Sequence, residues 1–221
     1  MIWSMSLLSK TNEKIGNISG LDIERSDRDG EYVKRDNGYG VVEKMNKIEE
    51  TKKGIERYLK IMRTFNTTDV SQDRAFQHLF NGFYQVRRSA DWQRVFYSLM
   101  EQSKGTDPGI EDIIVYLQMN TEEGNVELSF ASKLLHTIAP QYPIYDSNVA
   151  DYFGIHNPSF QNWSDEQKIN YQVENYNTVL ARYQEPKTKA LAELFDRLFP
   201  EYIDAVGRIK KIDFIIWKGL Y

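Results

Sequence analysis

The residues best placed to do chemistry in this 221-residue chain are Lys133 and Asp146, which lie 13 positions apart. Lys133 belongs to a mostly apolar stretch that includes Phe130 and Leu134. Burial disfavours a charged ammonium, and an unperturbed lysine needs roughly 4.6 kcal/mol to become a neutral nucleophile at pH 7. The pattern therefore predicts a nucleophilic amine at Lys133 and, at Asp146, a carboxylate that exchanges protons or stabilises a cation.

Both residues also have an ordinary structural interpretation. Lys133 would then be a solvated helix residue, and Asp146 would be the N-cap of the next helix, a common place for aspartate. Since an aspartate at a helix start can cap and react at once, capping alone does not separate the two interpretations. His136, three residues after Lys133, is similarly either a partly buried polar residue or a substrate-binding group.

Residue types exclude several classes of site. The chain has no cysteine, which leaves no disulfide, thiolate metal site, iron–sulfur cluster or cysteine nucleophile. Its three histidines, His78, His136 and His156, lack the spacing of metal ligands. Motifs for phosphate loops, dinucleotide binding, zinc proteases and hydrolase nucleophile elbows are missing. We therefore expect no metal and no cofactor.

The apolar runs of the sequence are short. The longest, residues 113–117 and 214–217, hold five and four residues, whereas a membrane-spanning helix needs about 20. The first ten residues show neither a basic region ahead of an apolar stretch nor a small-residue cleavage site, so they make a poor secretory signal. We expect a cytoplasmic protein without a membrane span.

Charge is distributed unevenly along the chain. Its 28 basic and 32 acidic residues give a net charge of −4, and that sum argues against a nucleic-acid binder. Residues 57–104, however, hold 8 basic and 4 acidic side chains, while residues 105–166 hold 1 and 10. The single basic residue of the acidic stretch is Lys133. Any nucleic-acid path would therefore use the 57–104 segment or the C-terminal basic residues.

Two groups of basic residues allow two interpretations each. Tyr84, Arg87 and Arg88 end an aromatic stripe and either stack on bases and contact phosphates, or form a core-facing row with arginines at its rim. The basic cluster within residues 208–211 either contacts a phosphate backbone or lies solvated on a core helix. In both cases the structural interpretation is favoured.

Hydrophobic periodicity places most of these residues on helices. Residues 1–41, rich in turn residues, are predicted to form an irregular arm or a small hairpin, and residues 42–221 a mainly α domain. No alternating run long enough for a central strand follows residue 42. We expect eight or nine helices, folded as one body or as two lobes. The signals for their ends are caps at Ser89, at Asp107 with Pro108 behind it, at Asp146 and at Ser164, and a break at Pro200 before a last helix over 201–217.

The order of these features resembles the catalytic stretch of the helix–hairpin–helix DNA glycosylase superfamily, in particular its 8-oxoguanine glycosylase-like members. The resemblance rests on Lys133, the connector ending in Tyr145 and Asp146, and the following Val149-Ala150 pair. It implies a base-excision enzyme acting on double-stranded DNA. Lys133 would attack C1′ of the sugar and form a Schiff base with linked cleavage of the abasic site (AP lyase activity), and Asp146 would assist.

Further landmarks resemble an uncharacterised bacterial family and extend the likeness over about residues 74–217. They are the segments 80–88, 130–133, 143–149 and 210–217. A flipped base requires an aromatic-lined pocket near Lys133, and the predicted substrate-binding residues are Phe130, Tyr145, Tyr152, His136, Tyr84, Arg87 and Arg88.

The hairpin ahead of Lys133 departs from the superfamily pattern. That hairpin normally carries a glycine-rich turn whose amides hold a DNA phosphate, whereas this chain has Gly-Asn-Val-Glu-Leu-Ser at 124–129, with an acid at Glu127. The spacing of 13 between Lys133 and Asp146 is also shorter than usual. The alternative hypothesis is therefore a non-catalytic helical module that binds nucleic acid or a protein partner.

Overall fold

A computed structural model describes residues 39–221 of the chain. Their regular structure consists of helices joined by loops. This confirms the predicted mainly α fold, and no strand occurs among these residues. The helices are α1 (Tyr39–Phe65), α2 (Arg74–Tyr84), α3 (Ala90–Gln102), α4 (Ile110–Asn120), α5 (Leu128–Ile138), α6 (Ser147–Phe153), α7 (Asp165–Arg182), α8 (Pro186–Leu198) and α9 (Arg208–Lys218), with a 3₁₀ turn at Pro200–Tyr202.

The predicted arm over residues 1–41 lies outside the described residues except for its last three, which belong to α1. Residues 39–221 belong to one compact unit. Within the described part of the chain, no helix combines the length and the apolar character that crossing a membrane requires.

Several helix ends follow from local sequence signals. Ser89 and Asp146 each accept a hydrogen bond from the backbone N–H three residues later, at 3.2 and 3.0 Å. Ser164 and Gln167 bond reciprocally as a capping box at the start of α7. Gly154 ends α6 in the left-handed region at φ 67°, which glycine adopts at no steric cost. The caps at Ser89, Asp146 and Ser164 confirm the predicted starts of these helices.

Two predicted helix starts are wrong. The Asp107-Pro108 pair does not begin α4, because Gly109 is the N-cap and its N–H donates to the Asp112 side chain at 3.1 Å. The last helix was expected from residue 201, yet α9 begins at Arg208 after the N-cap Gly207. In both places the N-cap is a glycine with extended backbone, and Pro200 begins the 3₁₀ turn rather than the last helix.

Helix α9 is largely enclosed, since residues 209–216 are all buried. It packs against α1, α6 and α8. Lys210 and Lys211 are 1% and 7% exposed, so the prediction that the basic residues of this helix are solvated is wrong for both. Arg208 alone of that cluster is exposed. A helix covered on every side leaves its inward-facing lysines no route to water.

An aromatic cluster joins α2 to α3. Phe80 is fully buried, and its ring centroid lies 4.6–5.9 Å from those of Phe76, Tyr84, Phe96 and Tyr97. Aromatic pairs at such distances add stabilisation beyond the area that they bury. The cluster fixes the end of α2, which carries Tyr84 to the edge of the cleft.

We expect Phe80→Ala to lower the free energy of unfolding by about 3–5 kcal/mol, because it removes the centre of this cluster and leaves a cavity. Urea unfolding followed by circular dichroism measures the change. Met119→Ala, at a methionine that is 77% exposed, serves as the control and should change stability by less than about 0.5 kcal/mol. Equal losses in the two variants would contradict the assignment of Phe80 to the core.

Candidate active site

A cleft of about 850 Å³ opens among α1, α2, α5, α9 and the start of α6. Helix α5 contributes Lys133 and α6 contributes its N-cap Asp146, so the two residues singled out from the sequence line the same cleft. Helices α2 and α9 supply an aromatic wall that includes Phe83 and Trp217. The volume falls within the range of pockets that hold a small organic ligand or a nucleotide.

Lys133 is buried rather than solvated. Only 7% of the residue is exposed, its Nζ donates a hydrogen bond to Ser129 Oγ at 2.6 Å, and Nζ lies 5.1 Å from the centre of the Phe130 ring. Burial lowers its pKa to about 8, and the carboxylate of Asp146 opposes this by favouring the ammonium. Roughly a tenth of the amine is then neutral at pH 7. The interpretation of Lys133 as an ordinary solvated residue is therefore wrong.

Asp146 both caps a helix and borders the cleft. Its Oδ1 accepts from the Val149 N–H at 3.0 Å, and its Oδ2 accepts no hydrogen bond from the described residues. One carboxylate oxygen thus holds the start of α6 while the other is left for a ligand or a proton. The capping and chemical interpretations of Asp146 are compatible, as the sequence suggested.

The connector between α5 and α6 is held by three buried side chains, Ser132, Tyr176 and His136. Ser132 Oγ accepts from the Tyr145 N–H at 2.9 Å and lies 3.2 Å from the Tyr145 carbonyl. Tyr176 donates to the Pro143 carbonyl at 3.0 Å, and His136 Nδ1 lies 2.7 Å from the Tyr142 carbonyl. The bonds of Ser132 and His136 fix the connector to the helix that carries Lys133, and the bond of Tyr176 fixes it to α7. Sequence reasoning missed Ser132 and Tyr176, because nothing local to them signals a partner.

His136 lies in the core and is not among the residues that line the cleft. Its Nδ1 faces a carbonyl and must donate, so Nε2 is the acceptor for the Tyr58 hydroxyl at 3.2 Å. Burial, together with the positive charge of Lys210, lowers its pKa to about 3. His136 is thus a neutral residue that orients the connector, and direct contact with a substrate has no support in its position.

The other predicted substrate-binding residues are divided among three places. Phe130 and Tyr84 line the cleft. Tyr145 and Arg88 line a smaller neighbouring pocket of about 220 Å³, which shares Ser129 and Phe130 with the cleft. The remaining two lie elsewhere: Tyr152 packs on Phe153 and Tyr221, and Arg87 is exposed and bonded to Gln85.

The acidic residue in the hairpin ahead of Lys133 is not an isolated charge. Glu127 forms an ion pair with Arg88, which also lies 3.4 Å from Glu123. The Arg88 guanidinium lies 5.1 Å from the centre of the Phe130 ring. Arg88 therefore offsets negative charge beside the cleft instead of extending to solvent.

Basic residues of α1 and α9 reach the cleft: Arg57 belongs to the 57–104 segment and Lys218 to the C-terminal basic residues named above, whereas Lys53 belongs to neither group. Lys53 and Arg57 are exposed at its edge and have no ion-pair partner among the described residues. Lys218 also lines the cleft and lies 3.3 Å from Glu50. Their distance from Lys133 in sequence hid this arrangement, which depends on how α1 packs beside α5 and α9.

Among residues 39–221, no group of three or more histidine and acidic side chains is arranged to hold a metal ion. Comparison of the chain with models of protein families, with curated proteins and with solved structures finds no match.

We expect Asp146→Asn and Asp146→Ala to separate the two roles of this residue. Asparagine is as good an N-cap as aspartate, whereas alanine loses about 1 kcal/mol of stability. Both changes remove the negative charge that favours the Lys133 ammonium, so the pKa of Lys133 falls further below its usual range and more amine is neutral at pH 7.

Urea unfolding measures the stability that the N-cap contributes. The pH dependence of acetylation at Lys133, followed by mass spectrometry, measures how the negative charge shifts the pKa of the amine. The asparagine variant should keep the stability of the unsubstituted protein and react faster with the acetylating reagent at pH 7. An unchanged acetylation midpoint in both variants would show that the carboxylate does not act on the amine.

Proposed function

We propose that this protein is a DNA glycosylase-like enzyme that excises a base and cleaves the abasic site through a Schiff base on Lys133. The observation that carries the proposal is a buried amine, with a pKa lowered to about 8, that shares a cleft with the Asp146 carboxylate. An amine of this kind is the nucleophile that Schiff-base chemistry requires, because attack needs the neutral form.

In the proposed reaction, neutral Nζ of Lys133 attacks C1′ of a flipped nucleotide, forming the C1′–N bond as the bond to the base breaks. Asp146 receives the proton that Nζ loses, and the departing base takes up a proton from water. The C1′–O4′ bond then breaks as the electron pair of Nζ forms the C1′=N bond of the protonated Schiff base, and Asp146 returns its proton to O4′. Water removes a proton from C2′, the C2′=C3′ bond forms, and the C3′–O bond breaks to expel the 3′-phosphate. The negative charge of Asp146 also stabilises the positive charge that develops on the sugar.

The surroundings of Lys133 suit an extruded base. Phe83, Tyr84, Phe130 and Trp217 all border the cleft, and aromatic rings stack on any base because every base has a π face. The exposed cations of α1 at the edge of the cleft supply candidate phosphate contacts, which the acidic 105–166 segment itself lacks. Pairing of Glu127 with Arg88 removes part of the repulsion expected at the hairpin.

The first prediction of this proposal concerns the covalent intermediate. Borohydride reduction in the presence of duplex DNA containing 8-oxoguanine or an abasic site should trap a protein–DNA adduct. The adduct should be lost in Lys133→Gln and kept in Lys189→Gln, a control at an exposed lysine of α8. Undiminished trapping in Lys133→Gln would overturn the assignment of the nucleophile.

The non-catalytic alternative gives a different result in the same assay. Salt-dependent retention of DNA without any adduct would make the protein a nucleic-acid-binding module. Absence of both retention and adduct, with the folded protein verified by circular dichroism, would point to a protein-binding role. Each outcome is read from one gel-shift series and one trapping series on the same DNA.

The second prediction concerns the basic edge of the cleft. Replacing Lys53 and Arg57 together by Gln should weaken binding to duplex DNA about equally across sequences. The slope of log K against log salt should become less steep by about 1.8, since each phosphate contact contributes about 0.9. Fluorescence anisotropy at several salt concentrations gives the slope.

The matched control replaces Lys187 and Lys189, two exposed lysines of α8 that do not line the cleft. It removes the same amount of charge, so it corrects for the change in net charge. An equal loss of slope in the two double variants would show that the cleft edge is not the DNA path.

A further inference from the structure

The smaller pocket beside the cleft collects polar atoms that have no partner. It has a volume of about 220 Å³ and lies between the loop before α3, the start of α5, the connector after α5 and α7. Three of its side chains carry a buried atom without a hydrogen-bond partner among the described residues: Arg88 Nε, Glu127 Oε2 and Tyr145 Oη. Buried polar groups are almost always paired, because an unpaired one loses its bonds to water and gains none. Three such atoms on one pocket point to a ligand that supplies their partners.

A glutamine of α7 holds this pocket in shape. The side-chain nitrogen of Gln172 donates to the Val126 carbonyl at 3.1 Å, and its side-chain oxygen accepts from the Leu128 N–H at 2.8 Å. The two bonds fix the backbone on both sides of Glu127. A ligand that enters therefore meets a carboxylate whose position is already set, which lowers the cost of binding.

The unpaired donor and the unpaired acceptor belong to one ion pair. Arg88 Nη2 donates to Glu127 Oε1, so Arg88 Nε–H and Glu127 Oε2 are left within the same pair. The Glu127 side chain is only 9% exposed, and Glu123 also lies 3.4 Å from Arg88 Nη1. Two carboxylates around one guanidinium leave an excess of negative charge, which disfavours a phosphate or a carboxylate as ligand.

A cation is also a poor ligand for this site. It would pair with Glu127 but would leave the Arg88 N–H without an acceptor, and a buried donor in that state is costly. The polar atoms therefore fit an uncharged ligand that offers a donor close to an acceptor. The N–H and C=O of a trans peptide bond point in opposite directions, whereas a cyclic amide or amidine places the two groups on one edge.

The size and the rings of the pocket narrow the ligand further. Its volume is far above the about 10–15 Å³ that one water molecule needs and below the about 300 Å³ at which sites for drug-sized ligands begin. Phe130 and Tyr145 give it two aromatic rings, and rings favour a flat ligand that can stack. A single nucleobase is flat and carries donors beside acceptors on its edges.

We propose that this pocket is a second binding site, specific for an uncharged nucleobase: Glu127 Oε2 accepts from an N–H of the base, and Arg88 Nε donates to the neighbouring acceptor. The Tyr145 hydroxyl supplies a third contact. The site goes beyond the proposed function, because it requires neither the Lys133 amine nor a covalent step. It adjoins the cleft through Ser129 and Phe130, which line both. The base comes either from solution or from a strand held in the cleft.

Titration of the ¹⁵N-labelled full chain with uracil and with adenine, followed by NMR, tests the site without DNA. The amide signals of residues 126–130 and the side-chain amide signal of Asn157 should shift, with a dissociation constant on the order of 1 mM for ligands of this size. 1,3-Dimethyluracil has the ring of uracil but no N–H, so it should bind at least about tenfold more weakly. Absence of these shifts with both bases at their solubility limits, or equal binding of the dimethyl compound, overturns the proposal.

Glu127→Gln and Glu123→Gln form a matched pair of variants. Both remove one negative charge beside Arg88, but only Glu127 lines the pocket. In Glu127→Gln the amide oxygen must take the contact with Arg88, so the amide nitrogen replaces Oε2 and an acceptor becomes a donor. Uracil and adenine should then bind at least about tenfold more weakly, whereas Glu123→Gln should change their binding by less than about twofold. Equal losses in the two variants overturn the proposal.

Tyr145→Phe provides the test if Glu127→Gln does not fold. It keeps the ring and removes only a hydroxyl that has no partner among the described residues, so the protein should fold and bind uracil at least about threefold more weakly. Unchanged affinity overturns the proposal.

Deoxyuridine and deoxyadenosine separate the two sources of the base. Binding of these nucleosides at the same signals supports the site for a base within a strand, and binding of uracil and adenine alone supports it for a free base. Because these titrations contain no DNA, failure of borohydride trapping would refute the proposed function and leave their result standing.

Discussion

Enclosure of α9 is the constraint on which the arrangement of the cleft depends. Because residues 209–216 are all buried, the charges of this helix must be satisfied inside the protein. Lys211 achieves this through Asp196, and Lys210 through aromatic rings and Asp213. Buried ion pairs are weak sources of stability, since apolar residues of similar size often do as well. Stability alone therefore gives little reason for a lysine at position 210.

The second requirement is that α5 and α6 hold Lys133 and Asp146 at fixed positions relative to each other. The connector between α5 and α6 is tied down by Ser132, Tyr176 and His136 through backbone contacts. Each contact buries a polar group with a partner, so the connector resists displacement that would leave those groups unpaired. An amine and a carboxylate placed on such a support need little reorganisation when a ligand enters, which is the condition for efficient electrostatic catalysis.

The sequence predicted what depends on neighbours in the chain. The caps at Ser89, Asp146 and Ser164 and the helical periodicity are local, and the structure has them as expected. The burial of Lys210 was not predictable from the sequence of α9. Taken alone, that sequence has an apolar face and a basic face, and both are buried only when other helices pack against them. The basic segment that contains Arg57 was identified from the sequence, but Lys53 was missed, and only packing brings both residues to the cleft that contains Lys133.

The charge of the sequence segment around Lys133 and the charge of the residues around the cleft lead to opposite expectations for DNA binding. The segment that carries Lys133 holds ten acidic residues, yet Glu127 in it is paired with Arg88 and the edge of the cleft takes Lys53 and Arg57 from another segment. A Schiff-base enzyme that acts on DNA needs a neutral amine for attack and charged cations for the phosphates. Burial favours the neutral amine, whereas exposure to solvent keeps the cations charged, so one environment does not provide both. Here α5 is buried enough to depress the pKa of its lysine, while α1 stays exposed and keeps its charge. Division of these tasks between two helices is the arrangement that the proposed chemistry requires.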